Sequence, residues 1–234
     1  MLELIRKILS LFLQNKKKIN LADYPKPGID YGTMNEWQRK AFDNILMACE
    51  VGGAGAEIPV LTQKEFDEVV SHIGMHFGDE GICKNIALKR QNAAVVNLTL
   101  YEQAKAHKAE LDAWIDNALP KLYEGTTEYK LEQIAKCIAN HAKYKCPSNN
   151  PLDLLDDGGM CGAYSMLFYK MAIRIGVQSY ICYGEADNGV QVGFHAWNMA
   201  DGHFYDITWY DTNRSQKYIR SKTPWGRDYK LNAK

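Results

Sequence analysis

The sequence predicts an α+β fold: a helical first half, one deeply buried helix, and an antiparallel sheet toward the C-terminus. Three observations carry that expectation. Capping boxes recur through the first half, each followed by apolar residues at helical spacing. The run from Tyr164 to Ile175 is apolar on nearly every face. Beyond Gly176 the period changes, and short β-branched and aromatic runs follow, two of them separated by Asp201-Gly202.

Taken in order, "MLELIRKILSLFLQNKKK" sets Leu2, Ile5, Leu9 and Phe12 on one helical face and ends in Lys16, Lys17 and Lys18. Residues 1–18 therefore read as a basic amphipathic helix for a membrane surface or a partner, or as a helix docked on the domain. The apolar stretch is short and lacks a small-residue cleavage site, so no signal peptide is expected. "NLADYPKPGIDYGT" is a Pro/Gly linker that closes a first segment, 1–33.

A helical region, 34–125, is expected next. "TMNE" (Thr33, Glu36) precedes Trp37, Ala41, Ile45 and Ala48. "VGGAGAEIP" then reads as a flexible break. "TQKE" (Thr62, Glu65) opens Phe66, Val69, Val70 and Ile73, and "TLYE" (Thr99, Glu102) opens a helix carrying Leu111, Trp114, Ile115 and Ala118. The last unit, 126–234, begins with a helix from about Glu128 to Tyr144 striped by Leu131, Ile134, Ala135 and Ile138. "CPSNNPLDLLDDGG" reads as a loop and Tyr164 to Ile175 as the buried helix. "VQSYICYG", "VQVGFHAWNMA" and "HFYDITWY" read as strands, and "SKTPWGRDYKLNAK" as a surface tail.

Composition narrows the function. The 234 residues are 46% hydrophobic and 24% charged, with Lys+Arg and Asp+Glu balanced at 28 each. A pI near 7.0 gives no electrostatic footprint for nucleic acid. The six cysteines, Cys49, Cys83, Cys137, Cys146, Cys161 and Cys182, include no C-x-x-C pair. Free thiols in a reducing, cytoplasmic setting are expected, with no structural zinc. "HIGMH" (His72, His76) has metal-pair spacing but no Glu between and no third ligand, so surface histidines are expected and no metal or cofactor.

The chemistry concentrates in "GGMCGAYSMLFYKMAIRIG". It sets Cys161 at a helix start among small residues, Gly158, Gly159 and Gly162, that would let a substrate carbonyl come close. A thiol there, beside an imidazolium, drops from about 8.5 toward 3.5–7.5 and becomes a nucleophile. The Asp201-Gly202 turn supplies the imidazole. It pairs Ala200 with His203, which carries Trp197 opposite Asp206 and His195 opposite Thr208. His195 and Asp206 are then diagonal neighbours on one face, about 7 Å apart at Cβ. Asp206 would orient the ring, and backbone N–H groups around Cys161 would receive an oxyanion. Trp197 and Trp209 would wall the site, while Tyr164 reads as helix packing.

These residues resemble the core of the transglutaminase-like superfamily: G-x-C-x-x-Y/A and a helix ending in "GV", then "HAWN", then a hairpin to "YDITW". The similarity spans residues 128–212, with Tyr144 near the end of the preceding helix, and the N-terminal region broadly resembles the leader of bacterial members. The resemblance implies a papain-like core, with Cys161 as nucleophile, His195 as base and Asp206 as orienting carboxylate. Gly159, Gly162, Tyr144 and Trp197 would line the substrate and oxyanion positions, with Asn149 and Asn150 as further polar candidates for a second donor. It implies acyl transfer at an amide of a protein or peptide substrate, as a cysteine peptidase, amidase or acyltransferase; no acidic cluster like the calcium site of the animal crosslinkers is evident, so hydrolysis or calcium-independent transfer is expected. The alternative is a transglutaminase-like binding or scaffolding module with a vestigial cysteine.

Overall fold

A computed structural model describes residues 34–78, 82, 86–119, 125–145, 148–187, 192–225 and 230–231. The expected amphipathic helix and linker of residues 1–33 lie outside these, as do Cys83 and Cys146. The fold is α+β, with two antiparallel sheets among the described residues.

The first part opens with α1 (Glu36–Glu50). Its cap is Asn35, not Thr33: the Asn35 side chain accepts from the N–H of Gln38, whose own amide oxygen reaches back to the N–H of Asn35. Both residues can cap, but only Asn35 has the amide three positions on that completes the box here. Helix α2 (Gln63–Phe77) starts where expected, with Thr62 and Glu65 forming the box, and stops at Gly78 in the left-handed region. Between and after these helices the chain forms a small sheet that the helical reading missed. Its strands are β1 (Gly55–Glu57), β2 (Ile86–Arg90) and β3 (Ala93–Val96), ordered β1-β3-β2. They are three to five residues long, too short for an alternating pattern to show.

Helix α3 (Leu98–Ala118) is the long connector. Its first turn is covered by Asn97, whose Oδ1 faces the N–H of Leu100 at 3.5 Å, so Thr99 lies inside the helix rather than capping it. Tyr101 and Ala104 pack with α1, α2 and the small sheet, whereas Leu111, Ile115 and Leu119 join a second core with the chain beyond 126. A 21-residue helix rises about 30 Å, enough to reach from one core to the other.

Helix α4 (Thr127–His141) follows its Thr126 cap. Helix α5 (Pro151–Asp156) replaces the expected loop; Asn150 caps it and Pro151 fills its first position. Helix α6 (Cys161–Arg174) is buried along nearly its whole length and lies against β4 (Ser179–Asp187) and β5 (Val192–Ala200). Strand β6 (His203–Tyr205) returns from the Asp201-Gly202 turn, and β7 (Lys230–Leu231), within what read as a surface tail, adds to the far edge of β4. The sheet order is β6-β5-β4-β7. No helix among the described residues is long and apolar enough to cross a membrane.

Candidate active site

The hairpin register is the one the turn dictates: Ala200 pairs with His203, Met199 with Phe204 and Asn198 with Tyr205. The ladder then stops. The expected partners Asp206 and Thr208 leave the sheet, because the chain turns into α7 (Ile207–Asn213) with Asp206 as its cap. Aromatic and β-branched residues disguised that helix, but an Asp ahead of a turn can accept from the third N–H onward, and Asp206 does so: its Oδ1 takes the N–H of Trp209 at 2.9 Å. Its Oδ2 lies 2.8 Å from Nε2 of His195. The predicted neighbours therefore meet through a cap instead of a cross-strand diagonal.

His195 is held on three sides. Asp206 is fully buried beneath it. Trp209 stacks on the ring at 4.4 Å between centroids and 10° between planes. Trp197 lies 6.2 Å away and is itself fully buried, so it backs the imidazole from the core. The face of an indole favours a cation. With Nε2 engaged by Asp206, Nδ1 is the ring nitrogen left for the Cys161 thiol.

Cys161 is set by the loops around it. The N–H of Gly159 donates to the carbonyl of Lys143 at 2.9 Å, and the N–H of Lys145 returns to that of Gly159 at 3.1 Å, which bridges Tyr144 to Gly159. The N–H of Met160 donates to the carbonyl of Ser148 at 2.6 Å. Gly158 turns at φ +119, a region that side chains avoid. Gly159 is thus a packing residue: a Cβ there would meet Ala163 at 3.0 Å and Leu154 at 3.1 Å, and its N–H is engaged. Tyr144 is 48% exposed. Asn150 is occupied as the α5 cap, accepting from the N–H of Leu152 at 2.8 Å.

The electrostatics separate this thiol from the others. Burial pushes Cys161 up, but hydrogen bonding and charge from His195, with the backbone N–H groups of Ala196 and Gly162, hold it below the ordinary thiol value. Burial alone raises Cys182 to about 12, and burial with the nearby carboxylates of Glu50 and Glu102 raises Cys49 to about 11. For His195, burial pulls the imidazole down, yet the Asp206 carboxylate and then the Cys161 sulfur raise it from 6.5 to about 9.

No family model matches the chain. No curated protein matches it either. Among solved structures, the crystal structure of a TGase aligns with 56% of this chain at 18% identity, with a TM-score of 0.39. The chain spans less than half of that protein, 46% of its length.

Other residues singled out in the sequence fall elsewhere. His72 is buried within α2 rather than on the surface. His76 packs edge-on between Phe42 and Phe77, with ring centroids 6.0 and 5.0 Å away. Among the described residues no group of three or more His, Cys, Asp or Glu could hold a metal ion.

Tyr164, one turn beyond Cys161, donates its hydroxyl to Asp211 at 2.6 Å, and Asp211 is paired with Arg214 at 2.9 Å. Arg214 in turn reaches the carbonyl of Ala139 at the end of α4. The three helices α4, α6 and α7 are tied by this chain. Tyr164→Phe is expected to lower stability by about 1.5–3 kcal/mol, the usual worth of a hydrogen bond to a charged group. An unchanged urea midpoint would show that the bond contributes nothing.

A pH dependence follows from the His195–Asp206 pair. The folded value of His195 lies above the unfolded one, so its contribution is complete below about pH 6.5 and is lost as pH rises through about 9. In a Cys161→Ser chain, where Asp206 is the remaining charged partner, the urea midpoint should stay level up to about pH 6.5 and fall toward pH 9. A midpoint that rises over that interval contradicts the pairing.

Proposed function

We propose that Cys161, His195 and Asp206 act together in thiol-dependent acyl transfer at an amide of a protein or peptide. The observation that carries this reading is the 2.8 Å bond from Nε2 of His195 to the Asp206 carboxylate, which leaves Nδ1 for a thiol at the start of a buried helix. Nδ1 takes the thiol proton, and the resulting thiolate is stabilised by the imidazolium and by the N–H groups of Ala196 and Gly162. The sulfur attacks the amide carbon, a C–S bond forms, and the carbonyl π pair moves onto oxygen. As that oxyanion collapses, the C–N bond breaks and the amine leaves with the proton from His195. The thioester is then resolved by water, making the protein a cysteine peptidase or amidase, or by an amine, making it an acyltransferase. His195 removes the proton of either acceptor.

The experiment is brief iodoacetamide exposure across pH, read at each cysteine by peptide mass spectrometry. Cys161 should react well below pH 8, while Cys49 and Cys182 should remain inert there. His195→Ala should remove the difference. If Cys161 behaves like Cys182 in the intact chain, the triad is not assembled, and the non-catalytic binding module becomes the better description.

A further inference from the structure

Resting on the triad reading, we propose that Asn149 is a further catalytic residue, whose side-chain amide donates to the oxyanion formed at the acyl carbon. Three observations converge on it. First, Asn149 lies against the first turn of α6: its Oδ1 would be 2.6 Å from a Cβ at Gly162, and its Cγ 2.9 Å. The residue directly after the nucleophile has no side chain, and the room that this leaves is filled by an amide. Gly162 sits inside a helix, where glycine is otherwise the poorer choice.

Second, the backbone on both sides of Asn149 is fixed. The carbonyl of Ser148 accepts from the N–H of Met160 at 2.6 Å, and its hydroxyl donates to Asp153 at 2.6 Å. Asn150 caps α5 through its Oδ1, and its N–H donates to the Ser148 hydroxyl at 3.0 Å. Its Nδ2 also reaches Nδ1 of His107 on α3, at 3.4 Å. Asn149 is thus clamped between two anchored neighbours, one of them hydrogen-bonded to the residue just before Cys161.

Third, the Asn149 side chain has no polar partner of its own among the described residues. Its neighbours Ser148 and Asn150 are engaged in local structure, whereas Asn149 is exposed. A half-turn about its last bond exchanges oxygen for nitrogen at the same place. The N–H of Cys161 is one of the first groups of α6, which no helix carbonyl can reach. A carbonyl carbon attacked by Cys161 would place its oxygen between this N–H and the Asn149 amide, the two-donor arrangement that acyl transfer requires.

The test separates oxyanion stabilisation from thiolate formation by using two reagents on the full chain. Iodoacetamide alkylates sulfur by displacing iodide, and no oxyanion forms. 4-Nitrophenyl acetate acylates sulfur through a tetrahedral intermediate that carries one. Asn149→Ala should lower the acylation rate of Cys161 on the order of a hundredfold and leave its alkylation rate unchanged. Gly162→Ala, whose new Cβ displaces the amide, should lower the acylation rate as well, and adding it to Asn149→Ala should lower that rate no further. Unchanged acylation in Asn149→Ala overturns the proposal. So does an equal fall with both reagents, which would mean that Asn149 acts on the thiol itself. If Cys161 of the unsubstituted chain shows no advantage over Cys137 with iodoacetamide, the triad reading fails on its own evidence, and the role of Asn149 fails with it.

Discussion

Replacing Asp206 with alanine is expected to lower the stability of the chain by about 3–5 kcal/mol, the cost of removing one partner from a buried charged pair. Two functions vanish together. His195 loses the acceptor at Nε2, and the N–H of Trp209 loses its cap. Caps alone are worth about 1 kcal/mol, so most of the loss belongs to the imidazole. Asp206→Asn divides the two. A carboxylate has two accepting oxygens, whereas an amide has one, so asparagine can keep the cap or the imidazole bond, not both. If it keeps the cap, Nε2 of His195 faces a donor and Nδ1 retains its proton. Alkylation of Cys161 near pH 6 should then fall on the order of a hundredfold, as expected for a thiol returned to about 8.5 or above. Urea unfolding and cysteine-resolved alkylation read the two effects separately. Normal reactivity in Asp206→Asn would show that the carboxylate does not orient the ring.

Gly158→Ala should be the most damaging change in the loop before Cys161. At φ +119 the backbone alone costs alanine about 1–3 kcal/mol. The added Cβ would also stand 2.7 Å from Cβ of Lys145 and 2.9 Å from the carbonyl of Lys143. Those residues form the bridge from Tyr144 to Gly159 that aligns the start of α6. The loss should therefore appear in both the urea midpoint and the reactivity of Cys161. Gly176→Ala is the control: it too has a positive φ, +78, but its Cβ would meet nothing within 4 Å. If the two variants are equally stable, overlap in the loop is not what fixes Gly158.

What could be read in the sequence was local or self-consistent. Thr62 and Glu65 specify a helix start within four residues, and the Asp201-Gly202 turn fixes the register of its hairpin. The register brought His195 and Asp206 to the same end of the sheet, but their contact is made by the helix cap at Asp206 and not by the cross-strand diagonal. Where competing local signals overlapped, the reading slipped. Asn35 took the cap from Thr33, Asn150 and Pro151 started a helix in what read as a loop, and Asp206 turned an apparent strand into α7. The small sheet was illegible because β1 and β3 are defined by each other's backbone groups and not by their own side chains. Asn149 and Asn150 stood as equal candidates in the sequence, and only the folded chain separates them, setting Asn149 against Gly162 while Asn150 caps a helix.

The double engagement of Asp206 also bears on the order in which the chain is made. Synthesis delivers Cys161 first, then His195, then Asp206, and α7 last of the four. Until Asp206 has been translated and the first turn of α7 has closed around it, the thiol has no oriented imidazole beside it. If Cys161 is the nucleophile proposed above, the nascent polypeptide on the ribosome would carry it dormant, and its reactivity would be switched on only once α7 has folded.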